Sequence, residues 1–192
     1  MLAVQNNKEK SVAELLSLGA DPNTTDDKKN CWGQNAVLMA ARFIRPSVKI
    51  LNLLLDFGGN PNSTECGMTK DNLGNDIKAS SFALYEAVFI DFEKVKLLIA
   101  KGADVNYQTD TTKGGAAQAA FYTDRMDILY YLITHGYNVH SKFSELNLSD
   151  NSTIDVDICH KLRYCIFPID SFQYKYKLLI IKELSKRGID YR

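Results

Sequence analysis

The residues best suited to chemistry in this sequence lie towards its carboxyl end. Cys159 and His160 are adjacent, Cys165 follows them, and His140 precedes them. Thiol and imidazole groups can form a nucleophile–base pair or bind zinc. In a helix over this segment, however, Cys159 and Cys165 point in different directions, with Cys165 on the apolar face. We therefore favour a buried small thiol beside a surface histidine over a catalytic or zinc-binding pair.

Two other patterns could bind ions. Carboxylate and amide side chains recur as Asp21, Asn23, Asp104 and Asn106, which could suggest calcium, but such side chains also form turns with their own backbone. Lys113-Gly114-Gly115 has neither the spacing nor the preceding strand of a phosphate-binding loop. Because no nucleophile, base and orienting group converge, we expect no catalytic residue, metal or cofactor, and hence no enzymatic activity.

Composition points to a single globular chain of 192 residues, with 45% apolar residues for a core. The 23 basic and 23 acidic residues give no global field towards nucleic acid or membranes, and no apolar run reaches the ~18 residues of a membrane helix. The cysteines are scattered and the opening residues do not resemble a secretory signal. These features favour a cytoplasmic location. The composition, rich in lysine, asparagine and isoleucine, suggests an AT-rich genome, so delivery into a host cell cytosol is one option.

A glycine-terminated amphipathic helix organises the chain. In Val95 to Asn106, an apolar stripe ends at Gly102, which sits where a helix needs a left-handed residue, and Lys94, Lys96 and Lys101 are expected at the surface. The same pattern recurs at glycines 34 to 52 residues apart, which indicates stacked units with a period of about 33 residues plus insertions. Its five copies end at Gly19, Gly58, Gly102, Gly136 and Gly188.

Small residues precede three of these glycines by about sixteen positions and would let helices approach closely. They lie in the segments 33–41, 80–88 and 115–121. With the Leu-Leu-x-x-Gly-Ala-Asp-x-Asn turns, this pattern resembles the ankyrin repeat family, although no copy contains the family's Thr-Pro-Leu-His. Asn35 and Ser81 could replace the capping threonine of that motif.

The resemblance implies an all-α, ankyrin-type solenoid of stacked helix-turn-helix repeats with extended turn or hairpin loops. We expect one domain over residues 1–192, with units at about 1–30, 31–66, 78–110, 112–144 and 152–192. Two insertions, 63–80 and 141–151, leave the same edge of the stack. They either enlarge the rim of a binding surface or serve as disordered spacers.

Local signals predict the helix boundaries. We expect a helix from Ser11 to Leu18 capped by Ser11, a helix 92–101 capped by Asp91, and an outer helix with Pro46 in its first turn. A capping box at 152–155 should open a helix with Ile154, Ile158, Leu162 and Cys165 on one face. The other expected helices are 35–43, 82–89, 116–122, 124–135 and 172–187.

The family resemblance implies that a partner protein binds the concave face and turn tips. Mapped onto this sequence, the candidate partner-binding residues are Trp32, Gln34, Arg42, Phe43, Lys78, Ser81, Phe89, Ile90, Thr112, Tyr122 and Thr123. We expect a monomer that binds another protein, without nucleic acid or membrane partners, as an adaptor, an inhibitor, or a bacterial or viral effector. The alternative is a substrate-recruiting fragment of a larger enzyme or receptor.

Overall fold

A computed structural model describes residues 1–26, 33–70, 76–78, 81–109, 112, 114–147 and 153–191. The chain divides into two compact units, unit 1 from Met1 to Asp104 and unit 2 from Val105 to Arg192. The predicted tip residue Trp32, together with Cys31 and Ser152, lies outside the described residues.

Unit 1 is built from helix pairs arranged in two layers. Its described helices are α1 (Leu2–Gln5), α2 (Glu9–Ser17), α3 (Ala36–Arg42), α4 (Val48–Asp56), α5 (Ala83–Ile90) and α6 (Phe92–Ala100). One layer contains α1, α3 and α5, and the other contains α2, α4 and α6, each helix packing on its neighbour. Ala40, Ala41, Ala83 and Ala87 are fully buried between α3 and α5. The close helix approach that the small residues predict is therefore present.

Unit 2 contains a helix pair, a hairpin and two further helices. Its described elements are α7 (Gly115–Tyr122), α8 (Met126–Thr134), β3 (Ser144–Asn147), β4 (Thr153–Val156), α9 (Ile158–Tyr164) and α10 (Phe172–Lys186). Helix α8 packs between α7 and α10, and its Ile128, Leu129 and Leu132 are completely buried.

The two insertions form antiparallel hairpins where the structure describes them. In unit 1, β1 (Met68–Lys70) pairs with β2 (Asp76–Lys78), with Met68 opposite Lys78. In unit 2, β3 pairs with β4, with Ser144 opposite Val156. The fold is thus mainly helical, with hairpins at the insertions, as the family pattern predicts.

Two predicted helix caps, Asn35 and Asp91, are confirmed, and Ser47 and Ser171 provide two further caps. The side chains of Asn35, Ser47, Asp91 and Ser171 each accept a hydrogen bond from a backbone amide in the first turn of the following helix. Pro46 lies before the cap Ser47 rather than inside the first turn. These side chains satisfy amides that have no partner within the helix.

Two other predicted caps are wrong. Helix α2 begins at Glu9, and Ser11 lies inside it, because the chain reverses sharply at Asn7, whose φ is 54°. Ser81 does not cap α5, because its backbone pairs with Glu65 and its hydroxyl donates to Glu86. Extended pairing before the helix thus replaces a side-chain cap.

The predicted elements of unit 2 also need correction. The segment 153–156 is a strand rather than the start of a helix, and Asp157 caps α9 by accepting from the His160 amide at 2.8 Å. Helix α8 begins at Met126, because Asp124 is left-handed with a φ of 56°. Short capping patterns do not show whether hairpin pairing competes with helix formation.

Asparagine side chains connect successive turns within each unit. In unit 1, the Asn62 amide group donates to the Gly102 carbonyl at 3.3 Å, and its oxygen accepts from the Asp104 amide at 2.7 Å. Asn23 bonds the Gly58 carbonyl and the Asn60 amide in the same way. In unit 2, Asn106 repeats the arrangement with the turn at Gly136. Each asparagine therefore fixes the spacing of two consecutive repeats.

The repeated glycines have the predicted left-handed conformation, with φ between 76° and 102°. At Gly102, φ is 91° and an added Cβ would meet no heavy atom within 4 Å. Glycine is thus needed at position 102 because of the left-handed backbone conformation, and not because a side chain would lack room. Gly102→Val should lower the free energy of unfolding by ~1–3 kcal/mol, because β-branched residues disfavour positive φ.

Urea unfolding of Gly102→Val and Gly102→Asn tests this explanation. Asparagine tolerates the left-handed region, so its variant should retain most of the wild-type stability. Equal losses in the two variants would show that φ at Gly102 is not the cause.

Asn62→Ala should destabilise unit 1 by about 1–2 kcal/mol, because both of its hydrogen bonds between turns disappear. Asn52→Ala is the matched control, since Asn52 only bonds Asp56 one turn along its own helix. The measurement is urea unfolding of both variants by circular dichroism. A loss at position 62 no larger than at position 52 would contradict the proposed role of the asparagines.

Candidate protein-binding surface

A partly apolar cleft of about 510 Å³ opens in unit 1 at the ends of α1, α3 and α5. Its lining residues are Gln5, Asn6, Arg42, Phe43, Ile44, Arg45 and Ile90. Three of the predicted binding residues, Arg42, Phe43 and Ile90, thus come together here. Ile44 is 81% exposed, although the sequence pattern did not single it out. An apolar cleft with a few polar groups is a common form of binding site.

Arg42 is held by acidic side chains within the protein. It contacts Glu65, and its distance to Glu86 is 2.9 Å. Burial disfavours the charged form of Arg42, but hydrogen bonds and ion pairs with Glu86 and Glu65 outweigh that effect and raise the pKa of its guanidinium. Ser81 donates to Glu86 through its hydroxyl, and its backbone amide donates to Glu65. Arg42 and Ser81 therefore belong to one network that shapes the cleft wall.

Lys94 was expected at the surface, but its side chain is buried, with 1% of the residue exposed. Its ammonium group donates hydrogen bonds to the Ala40 and Phe43 carbonyls, each at 2.7 Å. These carbonyls lie at the carboxyl end of α3, where a positive charge is favourable. The long side chain of Lys94 crosses from α6 to α3. The apolar periodicity of α6 alone cannot predict this contact with another helix. Lys94 thereby holds the backbone from which Phe43 projects.

Helix α5 of unit 1 contributes two aromatic side chains, Phe89 and Tyr85, outside the buried core. Phe89 is exposed, and its ring meets Tyr85 edge-on at 5.2 Å between centroids. Burial raises the pKa of Tyr85. Phe89 is therefore accessible to a partner, and the Tyr85 ring packs against it.

In unit 2, Tyr122 is exposed and its ring packs near Phe121 and Phe143. Thr123 donates its hydroxyl to the Ala119 carbonyl at 2.7 Å, which closes the end of α7. Thr112 is buried and its hydroxyl pairs with that of Thr109, so the structure does not place it at the surface. Of these three predicted residues, Tyr122 and Thr123 are exposed and Thr112 is buried.

Two further predicted residues, Gln34 and Lys78, lie between the helices of unit 1. The Asp26 amide donates to the Gln34 carbonyl at 2.9 Å, and the Gln34 amide donates to the Asp26 carboxylate at 2.7 Å. This pairing joins the described residues on either side of residues 27–32. Lys78 is the last residue of β2.

The candidate chemical residues of unit 2 are His140, Cys159, His160 and Cys165, and Cys159 does not line the cleft that His140 and His160 share. Cys159 is buried, and burial raises the pKa of its thiol, which disfavours the reactive thiolate. His140 and His160 line one polar cleft with Asp155 and Asp157, but the described residues contain no cluster of three or more groups that could hold a metal. Cys159 therefore has the environment of a buried structural thiol.

A family model described as Ankyrin repeats (3 copies) matches residues 1–109, more than half of the chain. The chain therefore belongs to the ankyrin repeat family. Ankyrin repeats are generally modules of protein–protein interaction. A search among curated proteins finds no match. Among the described residues, no helix combines the length and the apolar character needed to cross a bilayer.

The buried ammonium group of Lys94 should make stability depend on pH. Burial lowers its pKa from 10.5 to about 8, so between these values the unfolded chain binds more protons than the folded protein at this site. Stability from this group therefore rises with pH across that window, by at most ~1.4 kcal/mol per pH unit.

Unfolding wild type and Lys94→Met in urea at pH 7 and pH 9.5 measures this contribution. The difference between the two proteins cancels the titration of groups that they share. The free energy of unfolding of wild type should gain on that of Lys94→Met as the pH rises. Lys96→Met, a change on the same helix, should show no such trend. A difference that is constant or falls with pH would exclude a lowered pKa for Lys94.

Proposed function

We propose that this chain is a non-catalytic protein-binding module whose unit 1 cleft receives a segment of a partner protein. The observation that carries this proposal is the exposure of Phe43 and Ile44 on a backbone that Lys94 holds in place. An apolar side chain on a fixed backbone loses little conformational freedom on binding. Such anchors contribute much of the affinity in protein interfaces.

The chemistry of the cleft defines the partner segment. Phe43, Ile44 and Ile90 favour apolar or aromatic side chains. Arg42 is already paired with two glutamates, so it adds little preference for an acidic partner. Arg45, which is exposed at the cleft edge, is better placed to receive a carboxylate or a carbonyl oxygen.

The turn and helix-end residues remain part of the proposal. In unit 1 these are Trp32, Gln34, Lys78 and Phe89, and in unit 2 they are Tyr122 and Thr123. Both hairpins follow a repeat turn, β1–β2 after Asn62 in unit 1 and β3–β4 after Gly136 in unit 2. We place the hairpins at the rim of the binding surface in their own units, as insertions that leave the helix packing intact.

The proposed setting is the cytoplasm, where the chain acts as a monomeric adaptor, inhibitor or effector. The free thiols of Cys66, Cys159 and Cys165 support a reducing compartment. Inhibition and recruitment both begin with the same step, which is the binding of one surface of the partner.

The cleft is tested by the double change Phe43→Ala and Ile44→Ala. Affinity purification with the full chain first identifies a partner, and titration calorimetry with the purified partner then gives the dissociation constant. We expect a loss of ~2 kcal/mol or more in binding free energy, the scale of an interface hot spot. Circular dichroism melting confirms that the variant is folded.

The matched control is Lys96→Gln with Lys101→Gln, in and directly after α6, which belongs to the outer layer of unit 1 formed by α2, α4 and α6. Neutral glutamine avoids placing a like charge beside Glu93 and Asp56, which pair with these lysines. This variant should bind as wild type. A second variant, Trp32→Ala with Tyr122→Ala, tests the turn and helix-end residues. If the glutamine variant lost binding while both aromatic variants were unaffected, the partner would lie on the outer helix layer.

A further inference from the structure

The segment between α9 and α10 exposes an apolar tip in unit 2. Ile166 is 93% exposed and Ile169 is 75% exposed, and Tyr164 and Phe172 at either end of the segment are exposed as well. Side chains this exposed project from the surface of unit 2. We define Tyr164, Ile166, Ile169 and Phe172 as the apolar tip.

Hydrogen bonds hold the apolar tip in a fixed shape. Lys177 donates to the Cys165 carbonyl at 2.6 Å, which fixes the start of the segment against α10. The Ser171 amide donates to the Pro168 carbonyl at 2.9 Å, and the Ser171 hydroxyl caps α10. The Tyr191 hydroxyl donates to the Leu162 carbonyl at 2.8 Å at the end of α9. The isoleucines are thus presented by a braced turn.

Basic residues outnumber acidic residues in the part of the chain that contains the tip. Residues 158–186 contain six lysine and arginine residues against two acidic residues, whereas the whole chain is balanced at 23 and 23. On α10, Phe172, Lys175, Leu178 and Lys182 are exposed and lie at helical spacing along one face. Apolar and cationic side chains therefore alternate on the surface that continues from the tip.

We propose that the apolar tip and the exposed face of α10 bind the surface of anionic membranes. A protruding apolar turn can enter the boundary between headgroups and acyl chains, where tyrosine and phenylalanine are also favourable. Lysines beside it are attracted to the negative potential of anionic lipids. The exposed lysines of α10 favour an anionic surface over an uncharged partner. Whole-chain neutrality predicts no membrane attraction, but the charge is unevenly distributed and this region is basic.

Vesicle co-sedimentation of the full chain tests the proposal. Vesicles of phosphatidylcholine with about one-third phosphatidylserine should retain the protein at least ~10-fold better than pure phosphatidylcholine vesicles, and added salt should weaken the binding. Ile166→Ser with Ile169→Ser should reduce the partition coefficient at least ~10-fold, since two apolar side chains no longer enter the interface. Lys175→Glu with Lys182→Glu should reduce it at least as much on the anionic vesicles.

Matched controls come from unit 1. Leu2 and Leu18 are 76% and 78% exposed, so Leu2→Ser with Leu18→Ser removes a similar exposed apolar area. Lys8→Glu with Lys10→Glu makes the same change in net charge at exposed positions. Both controls should partition as wild type.

Four outcomes would overturn the proposal. The first is retention that does not depend on phosphatidylserine, and the second is equal losses in the tip and control variants. The third is a wild-type dimer in analytical ultracentrifugation that becomes monomeric with Ile166→Ser and Ile169→Ser, which would assign the tip to a second copy of the chain. The fourth is tip-dependent capture of a purified acidic peptide without any vesicle binding, which would assign it to a protein partner.

Discussion

The hydrogen bonds of the repeated asparagines are the constraint on which the arrangement of repeats depends. Each of these side chains bonds a glycine carbonyl at the end of one outer helix and an amide in the turn that follows it. The bonds require a left-handed glycine, because only that conformation ends the helix with its carbonyl turned towards the neighbouring turn. Apolar packing gives the helices their affinity for each other but leaves their sliding weakly restrained. The asparagines remove that freedom within each unit.

Once the repeats are fixed, polar groups inside unit 1 determine the shape of its surface. Lys94 bonds the last carbonyls of α3, and Arg42 joins Glu65 and Glu86 beside the same cleft. Breaking either set would leave a buried charge without its partners, which is strongly unfavourable. The position of Phe43 is therefore coupled to charges on other helices. This buried network fixes the backbone beneath the binding surface and so makes the surface rigid.

Local patterns in the sequence were sufficient to predict the repeats, the left-handed glycines and two of the helix caps, Asn35 and Asp91. These features depend on residues close together in the chain, such as Asn35 and the amide of Leu38 that it caps. The buried position of Lys94 could not be predicted, because its partners Ala40 and Phe43 lie more than fifty residues away. The strand at 153–156 was missed for a similar reason, since its pairing with 144–147 competes with a local helix signal. For the candidate site, residue types indicated Arg42, Phe43 and Ile90, but only tertiary contacts show that Arg42 is already paired and that Ile44 is exposed.

The enclosed amine of Lys94 also gives unit 1 a built-in chemical reporter. In the folded protein this amine is bonded to carbonyls at the end of α3 and shielded from reagents in solution. Acylation at this position can proceed only during openings that separate α6 from α3. Its rate, read by mass spectrometry against the surface lysines, measures how often the two layers of unit 1 part. A ligand seated on Phe43 would slow that reaction without touching the lysine.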